Sequence, residues 1–112
     1  MVTQGVQGIA LTPVDPTVAA ALDKAIEQGV KVVLMDNNIP DWEGRTALAT
    51  TDNYTAGVIA GKHLATLLKD GDTLAILEGV PGGPALDDRV NGMLEGLGSV
   101  KPNIVGRGGT DC

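Results

Sequence analysis

Aromatic side chains are nearly missing from this chain: Trp42 and Tyr54 are the only two, and there is no Phe. A core without aromatic bulk must be filled by Ala, Val, Leu and Ile, which line the layers between helices and a buried sheet, so the composition points toward an α/β protein. Cysteine is as scarce. Cys112 stands alone at the last position, which excludes a disulfide within the chain and leaves cysteine usage silent on the redox compartment. Basic charge is also short, with 8 Lys and Arg against 14 Asp and Glu, for a formal charge of −6. Nucleic-acid affinity comes from Lys and Arg displacing counterions from phosphates, so nucleic acid is not expected as a direct partner. No apolar run approaches the roughly 18–20 residues needed to cross a bilayer. Met1 is followed by Val-Thr-Gln-Gly, without a basic and then apolar leader, so neither membrane insertion nor a signal peptide is expected in these residues.

What is present is ordinary for a folded protein. Hydrophobic residues make up 43% of the chain and charged residues 20%, whereas disorder would need few apolar side chains and high charge. At 112 residues the expectation is one small domain at most. The 16 glycines and 6 prolines are about a fifth of the chain, short of the roughly 25–30% typical of low-complexity sequence, so they punctuate many short elements.

The periodicity alternates between strand and helix. Val6 to Leu11 is a short apolar run closed by Thr12-Pro13, too short for a helix and read as a strand. Asp15-Pro16 is an N-cap with Pro at the first helical position, and Val18, Leu22 and Ile26 recur every four residues until Gly29 ends the helix. Lys31 to Met35 is a second buried strand, and a crossover this short makes the pair a parallel βαβ unit. Residues 36–45 form a polar loop of functional length around Trp42, before a strand at Thr46 to Thr50. A second helix is expected from Asn53 to Leu68, capped by Asp52, with Ala56, Ile59, Ala60, Leu64 and Leu67 inward and Gly57 and Gly61 allowing close approach. Thr73 to Leu77 reads as a strand and Gly79 to Gly83 as a turn. A third helix follows from Pro84 to Leu97, with Leu86, Val90, Met93, Leu94 and Leu97 inward, then a last strand near Ile104 and a loop from Gly106. The alternation stops there, and the expectation is an interior piece of a larger α/β protein.

In open α/β sheets ligands collect beyond the C-terminal ends of the strands. The residues at those places are Thr12, then Asp36 and Asn37, then Asp52, and the turn that ends at Asp87-Asp88-Arg89. A carboxylate accepts adjacent hydroxyl protons and a guanidinium fork donates to hydroxyl oxygens, so Asp36 and Arg89 suit a neutral polyol. Against this stand plainer roles: a solvated loop acid for Asp36 and a surface ion pair with Asp87 or Asp88 for Arg89. Trp42 offers a face for stacking on a sugar ring, or else anchors its loop to the fold. Gly79 to Gly83 fits neither a P-loop nor a dinucleotide fingerprint. His63 is the only histidine and Ser99 the only serine, outside any G-x-S-x-G elbow. No nucleophile and base pair, metal site or cofactor motif is visible, and no catalysis is expected.

Four segments in order carry a resemblance. They are Val6-Gln7-Gly8-Ile9-Ala10-Leu11-Thr12-Pro13-Val14-Asp15-Pro16, the strand ending in Met35-Asp36, Thr51-Asp52-Asn53-Tyr54-Thr55-Ala56-Gly57, and Ile76-Leu77-Glu78-Gly79 through Asp88-Arg89-Val90-Asn91-Gly92. Together they resemble the type 1 periplasmic sugar-binding proteins, in particular the ribose-binding-like substrate-binding proteins of ABC transporters. The resemblance implies a Rossmann-like α/β fold with parts of two lobes: residues 1–35 ending the first, residues 36–52 holding a loop and hinge crossing, and residues 53–112 beginning the second. It implies that Asp36 is the cleft aspartate and Arg89 the sugar-contacting arginine. Asn37 stands where the family often has Arg, and Thr12 where it often has Asn. The implied partners are a monosaccharide and an ABC permease, in a periplasmic or extracytoplasmic setting, and exposed sheet edges offer the isolated chain a route to self-association. Two other functions share this fold, the effector domain of a LacI-type regulator and a small-molecule enzyme. The first would be marked by a DNA-binding headpiece, the second by turnover of sugar phosphates or nucleotides.

Overall fold

The computed structural model describes residues 2–80 and 82–109. The chain divides into two compact units, Met1–Thr51 and Asp52–Cys112, where the composition alone suggested a single domain. Most of the stretch expected to cross between lobes therefore belongs to the first unit.

The first unit is a three-stranded parallel sheet, in the order β1 (Gly8–Leu11), β2 (Lys31–Met35), β3 (Ala47–Ala49), with the helix α1 (Ala19–Glu27) crossing from β1 to β2. Asp15 caps the crossover as expected, its carboxylate accepting from the Thr17 amide at 2.7 Å. The first turn, Pro16–Val18, is nevertheless a 3₁₀ turn that tightens into the α-helix, a common device at helix starts. Gly29 ends the helix in the left-handed region (φ 83). The Val30 amide reaches back to the Ala25 carbonyl at 3.1 Å, closing the orphan carbonyls in a Schellman-type cap. Alternation along β2 sends Val32 and Leu34 to one face, where they pack with Leu22 and Ile39 as the core of the unit.

The second unit holds the helix α2 (Asn53–Leu67), the strand β4 (Thr73–Leu77), the helix α3 (Pro84–Gly96) and the strand β5 (Asn103–Gly108), with β4 and β5 parallel. β5 runs on through Gly106, Arg107 and Gly108, which the sequence suggests are loop. Their backbone groups make ladder bonds whether or not a side chain is present, and a register shift opposite Leu74 and Ala75 absorbs the extra residue. Of the predicted loop, Gly109 lies past the strand, and residues 110–112, Cys112 among them, lie outside the described residues.

The inward face of α2 differs from the periodicity reading. Ile59 and Leu67 are each 65% exposed, and Ala56 and Ala60 are exposed as well, while Asn53, Gly57 and Gly61 are buried. The reason is the approach of α3. A Cβ at Gly57 would lie 2.2 Å from the Arg89 carbonyl oxygen, and one at Gly61 would lie 2.0 Å from that of Met93. From the other helix, a Cβ at Gly92 would meet the Tyr54 oxygen at 2.1 Å and one at Gly96 the Val58 oxygen at 2.3 Å. Four glycines, spaced by four on each helix, let the two backbones touch, and no side chain larger than hydrogen fits between them. On α3 the expected inward residues Leu86, Val90, Met93 and Leu94 are half-buried and Leu97 is buried, flanking that seam. Among the described residues no helix is long and apolar enough to cross a membrane.

Asp52 starts α2 as expected: its carboxylate accepts from the Thr55 amide at 2.9 Å and the Thr55 hydroxyl at 2.7 Å. Those two bonds, the amide first, hold the Asp52 carboxyl below the usual carboxylate range. A depressed folded value means that the cap stabilises above the unfolded pKa, near 3.9, and that this contribution is lost as pH falls through the folded value. Asp52→Ala should therefore lower the melting temperature at neutral pH. The gap from the parent protein should close in acid, as thermal melts across pH 2–7 would show.

Candidate functional site

The strand registers place three residues side by side at the C-terminal edge of the first sheet. Leu11 pairs with Leu34, and Met35 with Ala49, so Thr12, Asp36 and Thr50 are the first residues beyond β1, β2 and β3. Asp36 departs from the strand with φ 65, in the left-handed region. A side chain there costs about 1 kcal/mol, least for Asp and Asn. The turn is held by one backbone bond and one side-chain bond: the Asp36 amide donates to the Ala49 carbonyl at 2.8 Å, and the Asp36 carbonyl accepts from the Thr50 hydroxyl at 2.5 Å. The Asp36 side chain is exposed, and its carboxylate has no hydrogen-bond or ion-pair partner among the described residues. Asn37 follows, its amide bonded to the Met35 carbonyl at 2.8 Å, and Thr12 is exposed at the end of the adjacent strand. Three of the sequence-predicted residues, Thr12, Asp36 and Asn37, thus share one edge. Asn38 adds a buried side-chain oxygen with no partner among the described residues, an uncommon condition that marks this loop.

Trp42 is tied to the body of the first unit. The loop turns at Ile39 to Trp42, with Pro40 and then Asp41 at φ 58 and the Trp42 amide on the Ile39 carbonyl at 3.3 Å. The indole NH donates to Asp23 of α1 at 2.8 Å, and the ring packs against the core of the first unit. Gly44 lies so close that a Cβ there would be 2.5 Å from the ring. Trp42 anchors the loop to α1, the plainer of its two expected roles.

In the second unit Arg89 sits on α3, and its Nε donates to the Asn53 Oδ1 at 2.7 Å. Asn53 is only 5% exposed, so the guanidinium is fixed through a buried partner at the start of α2. Among the described residues no other side chain engages that guanidinium. The ion pair with Asp87 or Asp88 is not formed among the described residues, and the terminal nitrogens keep their donors. Glu78, the first residue after β4, pairs with Arg107 of β5 through the Arg107 Nε, and its amide donates to the Gly108 carbonyl at 2.8 Å. The glycine turn before α3 is capped by Gly83 without a side-chain bond.

Asn53, Glu78, Arg107 and Thr50 are absent from the sequence-predicted site. Glu78 was accessible to the rule that singles out residues just past a strand. The others carry no periodicity, since their roles come from partners far away in the chain. A hollow of about 310 Å³ lies at the opposite edge of the first sheet, lined by residues such as Val6, Gln7, Gln28 and Val30. It opens beneath the N-terminal ends of the strands, the edge away from Asp36. Among the described residues no group of His, Cys, Asp and Glu could hold a metal ion. The first unit thus offers a carboxylate and a hydroxyl at one sheet edge, and the second, by itself, a guanidinium held at Nε by Asn53.

Known proteins are similar to this chain in sequence and fold. The ribose import binding protein of Bacillus subtilis is 33% identical over 93 residues, which cover 82% of this chain and 30% of that protein. The crystal structure of a Burkholderia graminis ABC transporter solute-binding protein in complex with D-arabinose matches with a TM-score of 0.86 and 28% identity. It covers 98% of this chain and 38% of that one. The Caulobacter myo-inositol binding protein, bound to myo-inositol, matches with a TM-score of 0.83 and 25% identity over 98% of this chain and 38% of that one. The chain thus spans less than half the length of these relatives. The periplasmic binding protein domain matches residues 1–111, and with parallel α/β units like those of the type 1 sugar-binding members, the chain belongs to the periplasmic binding protein family.

Proposed function

We propose that this chain is part of the extracytoplasmic solute-binding protein of an ABC sugar importer, one that binds a monosaccharide without catalysis and delivers it to a permease. The observation that carries this reading is the Asp36 carboxylate, presented without an internal partner at the C-terminal sheet edge beside Thr12 and Asn37. A carboxylate with its acceptor sites open suits paired hydroxyl groups, which a sugar supplies and a simple anion does not. Arg89, held at Nε by Asn53, adds a donor fork for hydroxyl or ring oxygens. The ligands named for the relatives, ribose, D-arabinose and myo-inositol, are all neutral polyols, in keeping with that donor and acceptor set. In the whole protein this chain would contribute Asp36, Asn37, Thr12 and Arg89 to sugar binding.

Calorimetric titration of the full-length protein with D-ribose, D-arabinose and myo-inositol tests the reading, and at least one should bind with a saturable heat. Arg89→Ala should weaken that binding about 10- to 100-fold, the usual range for a hydrogen bond to a charged group. Arg89→Lys should restore little, because an ammonium replaces neither the planar fork nor the Nε donor that meets Asn53. Failure of all three sugars to bind, or full affinity in Arg89→Ala, would remove the sugar assignment or the arginine from it, respectively.

A further inference from the structure

We infer that Thr50 is a positioning residue for sugar recognition, acting through the backbone of Asp36 and without touching the ligand; the inference rests on the sugar reading above. Asp36 is one of two non-glycine residues at positive φ among the described residues, Asp41 being the other. The Cα–Cβ bond is fixed by the backbone that carries it, so whatever fixes that turn aims the carboxylate. Two bonds do so. The amide bond to Ala49 is an extension of the β2–β3 ladder and comes from the backbone alone. The other is the side-chain bond from the Thr50 hydroxyl to the Asp36 carbonyl, at 2.5 Å. That hydroxyl also lies 3.3 Å from the Thr51 carbonyl, but it has one proton, and the shorter contact takes it.

The position of Thr50 in the fold explains why it can do this. It is the first residue after β3, next to β2 in the sheet, with Met35 opposite Ala49, and so it reaches the carbonyl that turns away at the end of β2. Thr is β-branched and stiff at χ1, which holds the hydroxyl in place before a ligand arrives. A ligand-binding carboxylate that is already aimed loses less freedom on binding, and this gain appears as affinity.

The test is a double-mutant cycle in the full-length protein, titrated with whichever of D-ribose, D-arabinose and myo-inositol binds best. Thr50→Val keeps the shape and removes the donor, and should weaken binding about 3- to 10-fold, the range of one neutral hydrogen bond. Thr50→Ser keeps the donor and should bind like the parent protein. In an Asp36→Ala background Thr50→Val should have no further effect, because there is no carboxylate left to aim. A thermal melt of each variant confirms that it is folded at the titration temperature. Parent-like binding by Thr50→Val, or full additivity with Asp36→Ala, would overturn the positioning role while leaving the sugar reading intact. Parent-like binding by Asp36→Ala would instead overturn the role of Asp36, and with it that of Thr50.

Discussion

Gly61→Ala is expected to lower the stability of the protein by about 3 kcal/mol, at the upper end of what overpacking costs in a well-filled interior. The sign is the informative part. In a free helix Ala is more stable than Gly by about 1 kcal/mol, so a substitution at an ordinary helical glycine would help. At Gly61 the new methyl would sit 2.0 Å from the Met93 carbonyl oxygen, and the obstacle is backbone, which cannot rotate aside as a side chain can. The helices must separate, and every contact along the seam from Gly57 to Gly61 and from Gly92 to Gly96 is loosened together. In a domain of this size such a loss shifts the melting temperature by about 10–20 °C. Pairing Gly61→Ala with Gly96→Ala should consume most of the roughly 5–15 kcal/mol that holds a typical domain folded. Gly106→Ala is the control, since nothing lies within 4 Å of its position for a Cβ to meet, and it should stay within about 0.5 kcal/mol of the parent. Melting curves by circular dichroism decide the matter: a neutral or stabilising Gly61→Ala would mean that the helices do not touch through these glycines.

That seam also shows what sequence patterns carry and what they omit. β2 and β4 were legible to the residue, because short apolar runs, Val32 to Met35 and Leu74 to Leu77, bounded by polar residues and turns have few other readings. The order of strands and helices was legible for the same reason. The face of α2 was not, since a period search weighs large apolar side chains, and a glycine contributes nothing to it even where the absence of a side chain is what allows the contact. Ile59 and Leu67 consequently read as core and are exposed. Composition and charge do not mark the two-unit division, since neither changes near residue 51; only the family resemblance suggested more than one lobe. At the candidate site, Asp36 could be picked out by its place after a strand, a rule that depends only on local order. Asn53 could not be seen as the partner of Arg89, 36 residues away. Neither could the bond from Thr50 to the Asp36 carbonyl. These are tertiary pairings of short polar groups, and they leave no periodic trace in one sequence.

Asp36→Gly is expected to separate stability from binding. The residue sits at φ 65, where any Cβ is crowded by its own carbonyl, and glycine removes that cost of about 1 kcal/mol. Glycine also has more freedom to lose on folding, by about 0.4–1 kcal/mol, so the net change from Asp should be small. The useful comparison is with Asp36→Ala, which keeps the strained Cβ and has no short polar group to ease it. The glycine variant should be the more stable of the two by about 1 kcal/mol, the reverse of the order at ordinary positions, and urea denaturation can resolve that difference. Sugar affinity should fall in both, by about 10- to 100-fold, because each deletes a charged acceptor whose hydrogen bonds are worth about 1.5–3 kcal/mol. Shared loss of binding with unequal stability assigns the affinity to the carboxylate and the strain to the backbone. If Asp36→Gly bound sugar as tightly as the parent, the left-handed turn would matter for its shape alone. The acceptor for the hydroxyl groups would then have to be sought along the same edge, at Thr12 or Asn37.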